Sequence, residues 1–209
     1  MAHLYEPQNV SIHYSADGRL MTAIEEWQRW LKTEKRCSGH TAAAYGRDLA
    51  TFLNFLQDYT AKTPSFDILA KMEVTDFRAY LAARTQEGIG RTSLARNMST
   101  LRNFFKFLER NALLSNPAIN VIHSPSVPKA LPKPLTREQA FDVIKTAGEL
   151  QEDLWLKKRD MAFVTLLYGC GLRIGEALSL DVKDRPRSDV ITILGKGKKE
   201  RVVPVLPNG

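Results

Sequence analysis

Prolines at 125, 128, 132 and 134 crowd the stretch HSPSVPKALPKPL, residues 123–135. Each fixes φ and removes a backbone donor, so neither a helix nor a strand ladder runs through them. An extended tether is the conformation that remains. This feature constrains the fold most, because it forces the chain to fold as separate pieces on either side. The 209 residues are enough for two small domains. The expected organisation is a leader over 1–20, a helical domain over 21–121, the Pro-rich linker over 122–134, and a second domain over 135–209.

Before the linker the apolar residues recur at helical spacing. Ile24, Trp27, Trp30 and Leu31 form one stripe in a helix from Met21. Tyr45, Leu49, Phe52, Leu53 and Leu56 form another in a helix over 38–58, whose other side carries His40, Arg47 and Asn54. Residues 60–66, with Pro64, read as a loop. Thr75 is placed to cap a third helix through Phe77, Tyr80 and Leu81, ended by Gly88 and Gly90. A fourth helix, over 92–111, buries Leu94, Met98, Leu101, Phe105 and Leu108. Ser99, Arg102, Asn103, Lys106 and Arg110 line another face of it, since residues three and four apart are helical neighbours. Two readings of that face are open. It is a solvated surface, or a surface whose hydroxyl, amide and cationic groups bond phosphates and base edges.

After the linker, Thr136 with Gln139 makes a capping-box pattern. A helix to about residue 150 follows, then a more apolar one over 154–168 and a short one over 173–180. Two β-rich runs, 190–194 and 201–205, flank a Gly and Lys turn and read as a hairpin. The fold class is therefore mainly α: a four-helix domain, then an α+β segment with a β-hairpin.

Charge adds a partner class. Lys and Arg number 30 against 23 Asp and Glu, a formal net charge of +7. A polyanion is the natural partner, because clustered cations neutralise phosphates and release counterions. The two cysteines, Cys37 and Cys170, and the four scattered histidines give neither a disulfide framework nor a metal spacing. No apolar run reaches membrane-spanning length, so no membrane partner is expected and a reducing cytoplasm is the expected compartment.

Two stretches carry chemistry. In YGCGLRIGEALSL, residues 168–180, glycines bend the chain and Arg173 opens the next helix with Glu176 on the same face. An arginine beside glycines suits an approaching anion; a surface Arg–Glu pair is the plainer alternative. In GKGKKER, residues 195–201, Lys196, Lys198 and Lys199 crowd a turn that the glycines leave conformationally free. A lysine on such a turn reaches into a phosphate site and donates a proton, or is a basic turn and nothing more. Tyr168, ending an apolar helix, reads as a core residue.

Taken in order, these stretches resemble the tyrosine site-specific recombinase and integrase family, most of all its bacterial Xer branch. The resemblance is carried by EEWQRWLKTEKRCSGHTAAAYGRDLATFLNFL, TSLARNMSTLRNFFKFLERNALLSNPA, LPKPLT, GCGLRIGEALSL and ITILGKGKKERVVPV. It implies a SAM-like core-binding domain and the start of a catalytic domain. The implied reaction breaks and rejoins double-stranded DNA through a 3′-phosphotyrosine, with no metal and no cofactor, by protomers assembled as a tetramer on paired sites. Arg173 matches the first catalytic arginine, which binds the scissile phosphate. Lys196 matches the hairpin lysine, general acid to the departing 5′-oxygen. Glu176 matches a supporting acidic position. Arg47, Ser99, Arg102, Asn103, Lys106, Arg110, Lys198 and Lys199 are the expected DNA contacts. The family's His-x-x-Arg motif, its later His or Trp and its nucleophilic tyrosine have no match in residues 1–209, so this chain is expected to bind DNA without cutting it. Chromosome-dimer resolution and phage or mobile-element integration both fit. A non-catalytic DNA-binding protein on the same scaffold and a helical protein-interaction module are the competing readings.

Overall fold

A computed structural model describes residues 12–126, 133–185, 189–195 and 199–205. The chain divides into two compact units, one carrying the first six helices and the other the remaining three helices and the hairpin.

The first unit runs α1 (Gly18–Thr33), α2 (Gly39–Thr60), α3 (Phe66–Lys71), α4 (Val74–Gln86), α5 (Arg91–Arg110) and α6 (Ala118–Val121). Four long helices enclose the core, and α3 and α6 close its edges. Local chemistry sets the starts. Asp17 accepts from the Leu20 amide and Ser38 from the Thr41 amide, each satisfying a donor that a helix leaves unpaired. The third long helix starts at Val74 and is not capped by Thr75. Its N-cap is Glu73, whose amide donates to Asp76 at 2.8 Å. Residue 66 begins a helix where a loop was expected, because Ser65 accepts from the Ile68 amide.

Aromatic rings fill the centre. Trp27 meets Phe104 edge-on at 5.2 Å, Phe52 meets Tyr80 at 5.1 Å, and Phe77 meets Phe105 at 5.7 Å. Such pairs add about 0.5–1.5 kcal/mol each beyond their buried area. The segment read as a loose leader is fixed from residue 12 onward. Tyr14 is buried and bonded to Gln28, the Asp17 amide donates to the Pro64 carbonyl at 2.9 Å, and α1 starts three residues before Met21. Gly46 makes this docking possible, since a Cβ there would lie 2.8 Å from both Ile12 Cδ1 and the Tyr14 hydroxyl. Burial pushes the Tyr14 hydroxyl up to about 12.

One ionic link crosses α2 and α5. Arg96 donates to buried Asp48 through Nε at 2.9 Å and Nη2 at 3.0 Å, and Thr100 Oγ1 donates to the same carboxylate at 3.1 Å.

The second unit runs α7 (Arg137–Glu149), α8 (Leu154–Gly169), α9 (Ile174–Leu178), a 3-10 turn (Val182–Asp184), β1 (Val190–Leu194) and β2 (Glu200–Pro204). Thr136 and Gln139 form the expected capping box at the start of α7. The strands pair antiparallel, Val190 opposite Pro204 and Leu194 opposite Glu200, so β2 begins one residue earlier than its β-rich run suggests. Ile191, Ile193 and Val203 alternate inward and join Leu172 and Ala177 in a small core. No described residue of α8 is fully buried, and Tyr168, expected in a core, is about half exposed with its ring edge-on to Phe141. The apolar run over 154–168 forms the expected helix, but its side chains are at most partly covered.

Candidate functional site

The second unit gathers its chemistry around one carboxylate. α8 ends at Gly169, Gly171 takes the left-handed conformation (φ +59°), and Arg173 becomes the residue before α9. Glu176, one turn into α9, receives the Arg173 amide at 2.8 Å and Arg173 Nη1 at 2.9 Å. From β2, Arg201 adds Nη1 at 2.7 Å and Nη2 at 2.8 Å, a bidentate pair. Arg201 first, then the Arg173 amide, hold the Glu176 carboxyl well below the usual carboxylate range. The Arg173 guanidinium stays open, with a side chain 73% exposed. One carboxylate thus fixes the base of an exposed arginine and ties its loop to the hairpin.

At the hairpin the Gly195 amide donates to the Lys199 carbonyl at 2.7 Å, closing the ladder just before the turn. Lys199 is exposed; Lys196 and Lys198 lie outside the described residues. Arg201 was not singled out by sequence reading. Its signal was position alone, a cation at the foot of the strand after the glycine turn, overshadowed by three lysines.

In the first unit the expected contact residues do not stand alike. Arg47, Ser99, Lys106 and Arg110 are exposed. Arg110 approaches Glu34 only loosely, at 3.9 Å across two exposed side chains. Asn103 is partly buried and accepts from Trp27 Nε1 at 2.9 Å, so its carbonyl is engaged by the core. Arg102 folds onto the chain after α6, donating to Ser124 Oγ at 2.8 Å and to the Ile122 carbonyl. Sequence reading placed Arg102 and Asn103 on the open face because spacing gives a side chain's direction but not its partner. It missed Arg96 and Asp48, although an acid beside the apolar stripe of α2 was a signal. Among the described residues, no three His, Cys, Asp or Glu side chains gather as a metal site, and no helix is long and apolar enough to cross a membrane.

Both units have known counterparts. Residues 24–112 match the N-terminal SAM-like domain of phage integrases, and residues 133–208 match the phage integrase family proper. The chain belongs to this family, the tyrosine recombinases. It is 40% identical to a protein named tyrosine recombinase XerC from Rhodospirillum centenum, covering 94% of this chain and 58% of that one. To the protein of the same name from Methylobacterium nodulans it is 43% identical, covering 90% and 59%. The chain thus spans about three fifths of the length of these relatives. A lambda integrase dimer bound to a COC′ core site is similar in structure, with TM-score 0.66 at 16% identity over 88% of this chain and 48% of that one. XerH recombinase bound to palindromic difH substrate gives 0.61 at 19% identity, over 86% and 52%. At such identities the likeness is one of fold.

Proposed function

We propose that this chain is the DNA-binding and first catalytic part of an Xer-type recombinase, and that the full-length protein breaks and rejoins double-stranded DNA through a 3′-phosphotyrosine. The observation that carries the reading is the Glu176 carboxylate, which leaves the Arg173 guanidinium exposed while fastening its loop to the hairpin strand. In this reading Arg173 binds the non-bridging oxygens of the scissile phosphate, where a fixed cation stabilises developing charge. Lys196 protonates the departing 5′-oxygen. Glu176 positions Arg173 without touching the phosphate, and Arg201 positions Glu176. Arg47, Ser99, Lys106, Arg110, Lys198 and Lys199 contact the duplex outside the reacting phosphate, and Asn103 offers only its amide nitrogen. A helical domain that includes the docked residues from 12 and the buried Ile122, and a second domain over 135–209, belong to the same proposal, as do a tetramer on paired sites, a cytoplasmic location and a role in chromosome-dimer resolution. The names of the relatives at 40% and 43% identity support the Xer branch over a phage or mobile-element integrase.

The test is covalent trapping on a nicked substrate that carries the protein's recombination site, so that the 5′-hydroxyl strand diffuses away. The product of the gene read to its stop codon should give a denaturant-resistant protein–DNA adduct. Arg173→Ala should lower adduct formation by about a hundred-fold or more, the scale of a lost charge-stabilising contact. Lys196→Ala should slow cleavage, and a 5′-bridging phosphorothiolate, which leaves without a proton, should restore it. An adduct indifferent to Arg173 contradicts the assignment.

A further inference from the structure

We infer that Arg96 is a further phosphate-binding residue of the helical unit, its guanidinium held ready for the DNA backbone by the buried carboxylate of Asp48. The inference rests on the DNA-binding reading above. The Asp48 side chain is 6% exposed, whereas that of Arg96 is 51% exposed. Burying a carboxylate is costly unless charge-assisted hydrogen bonds compensate. Here Arg96 Nε and Nη2 and Thr100 Oγ1 compensate it. These contacts engage one edge of the guanidinium. Among the described residues the Nη1 edge makes no hydrogen bond. A planar fork fastened along one edge has already given up the side-chain freedom that a surface arginine loses on binding. The edge left open presents paired N–H groups to an anion with two oxygens, the geometry of a phosphate.

Its place on α5 supplies the partner. Residues 96, 99, 103, 106 and 110 follow one another at spacings of three and four, which puts Arg96 in line with exposed Ser99, Lys106 and Arg110. None of the row's own positions is acidic, although Asp48 pairs with Arg96 and Glu34 approaches Arg110 at 3.9 Å. Asp48 is then a positioning residue, acting on DNA only through Arg96.

The test measures duplex affinity of the 209-residue chain across a salt series. Arg96→Ala alone strands a buried carboxylate, so the Asp48→Asn/Arg96→Gln double variant carries the experiment. It removes both charges and keeps amide hydrogen bonding, and its melting curve reports folding. Affinity should fall about tenfold at fixed salt, while the slope of log affinity against log salt should change by less than the roughly 0.9 of an unpaired cation, because a positive and a negative charge leave together. The loss should be equal on duplexes of unrelated sequence; a loss confined to one sequence would make Arg96 a base reader and overturn the phosphate assignment. Arg96→Lys keeps the charge and loses the fork, so affinity should fall with the slope preserved. Should the double variant melt below the assay temperature, Arg96→Lys decides, and wild-type affinity for it overturns the inference. If wild type binds with a steep salt slope and the folded double variant matches it, this inference fails alone. If wild type binds no duplex at low salt, the DNA-binding reading fails first.

Discussion

Glu176 accepts four hydrogen bonds from two arginines, and this fixes how the second unit responds to acid. Its folded-state pKa lies below the usual 4.5. The stabilisation it supplies is therefore fully present above that pH and is lost as pH falls through the lower folded value. Carbon-detected titration should find Glu176 still ionised at about pH 3, well after an unperturbed glutamate has protonated; a midpoint near 4.5 would mean that the arginine clamp does not form. Arg102 is bonded within the chain and does not stand open on α5. Composition and spacing gave it the same role as Lys106, one turn away, yet its donors are bonded to Ser124 and Ile122. Nothing in the sequence encodes that fold-back, because it depends on where α6 returns the chain. Arg102→Ala should loosen residues 122–126, read as faster proteolysis there. Its effect on DNA affinity should be smaller than that of Lys106→Ala. Equal losses of affinity would restore Arg102 to the contact face.

At the scale of elements, period and punctuation served well where helices were long. The stripes of α1, α2 and α5 and the capping box of α7 were legible because burial of a helix face and satisfaction of its first amides are local matters. The short helices α3 and α6 were not legible, since six and four residues carry too little period to register. Nor was the Asp48–Arg96–Thr100 link, which joins residues 48 and 52 positions apart in sequence. In the candidate site, Arg173 and Glu176 were visible in one string, whereas Arg201 needed the hairpin folded against α9. The open face of α5 yields its own test. Lys106→Ala/Arg110→Ala should lower the salt slope of duplex binding by up to about 1.8, two phosphate contacts at 0.9 each. Melting should change by less than about 0.5 kcal/mol, as for exposed side chains generally. A folded double variant that binds like wild type would make this face a solvated one.

Across the whole molecule the two units differ in how much they bury. The first closes around Trp27, Phe52, Phe77, Tyr80 and Phe104, all fully buried. Among its described residues the second encloses a small cluster of Leu172, Ala177, Ile191, Ile193 and Val203, with Ala140 buried on α7, and leaves Leu154, Trp155, Ile174 and Leu178 largely exposed. Stability scales with apolar area removed from water, so amide exchange should be slowest in α2 and α5 and much faster throughout α7 and α8. Uniform protection across both units would contradict that ranking. The molecule's partner is decided by one titration, binding of the 209-residue chain to duplex DNA at several salt concentrations. The chain should bind duplex at low salt, with log affinity falling linearly with log salt by about 0.9 for each phosphate neutralised. A flat salt response, or no binding to duplex at low salt, would contradict it.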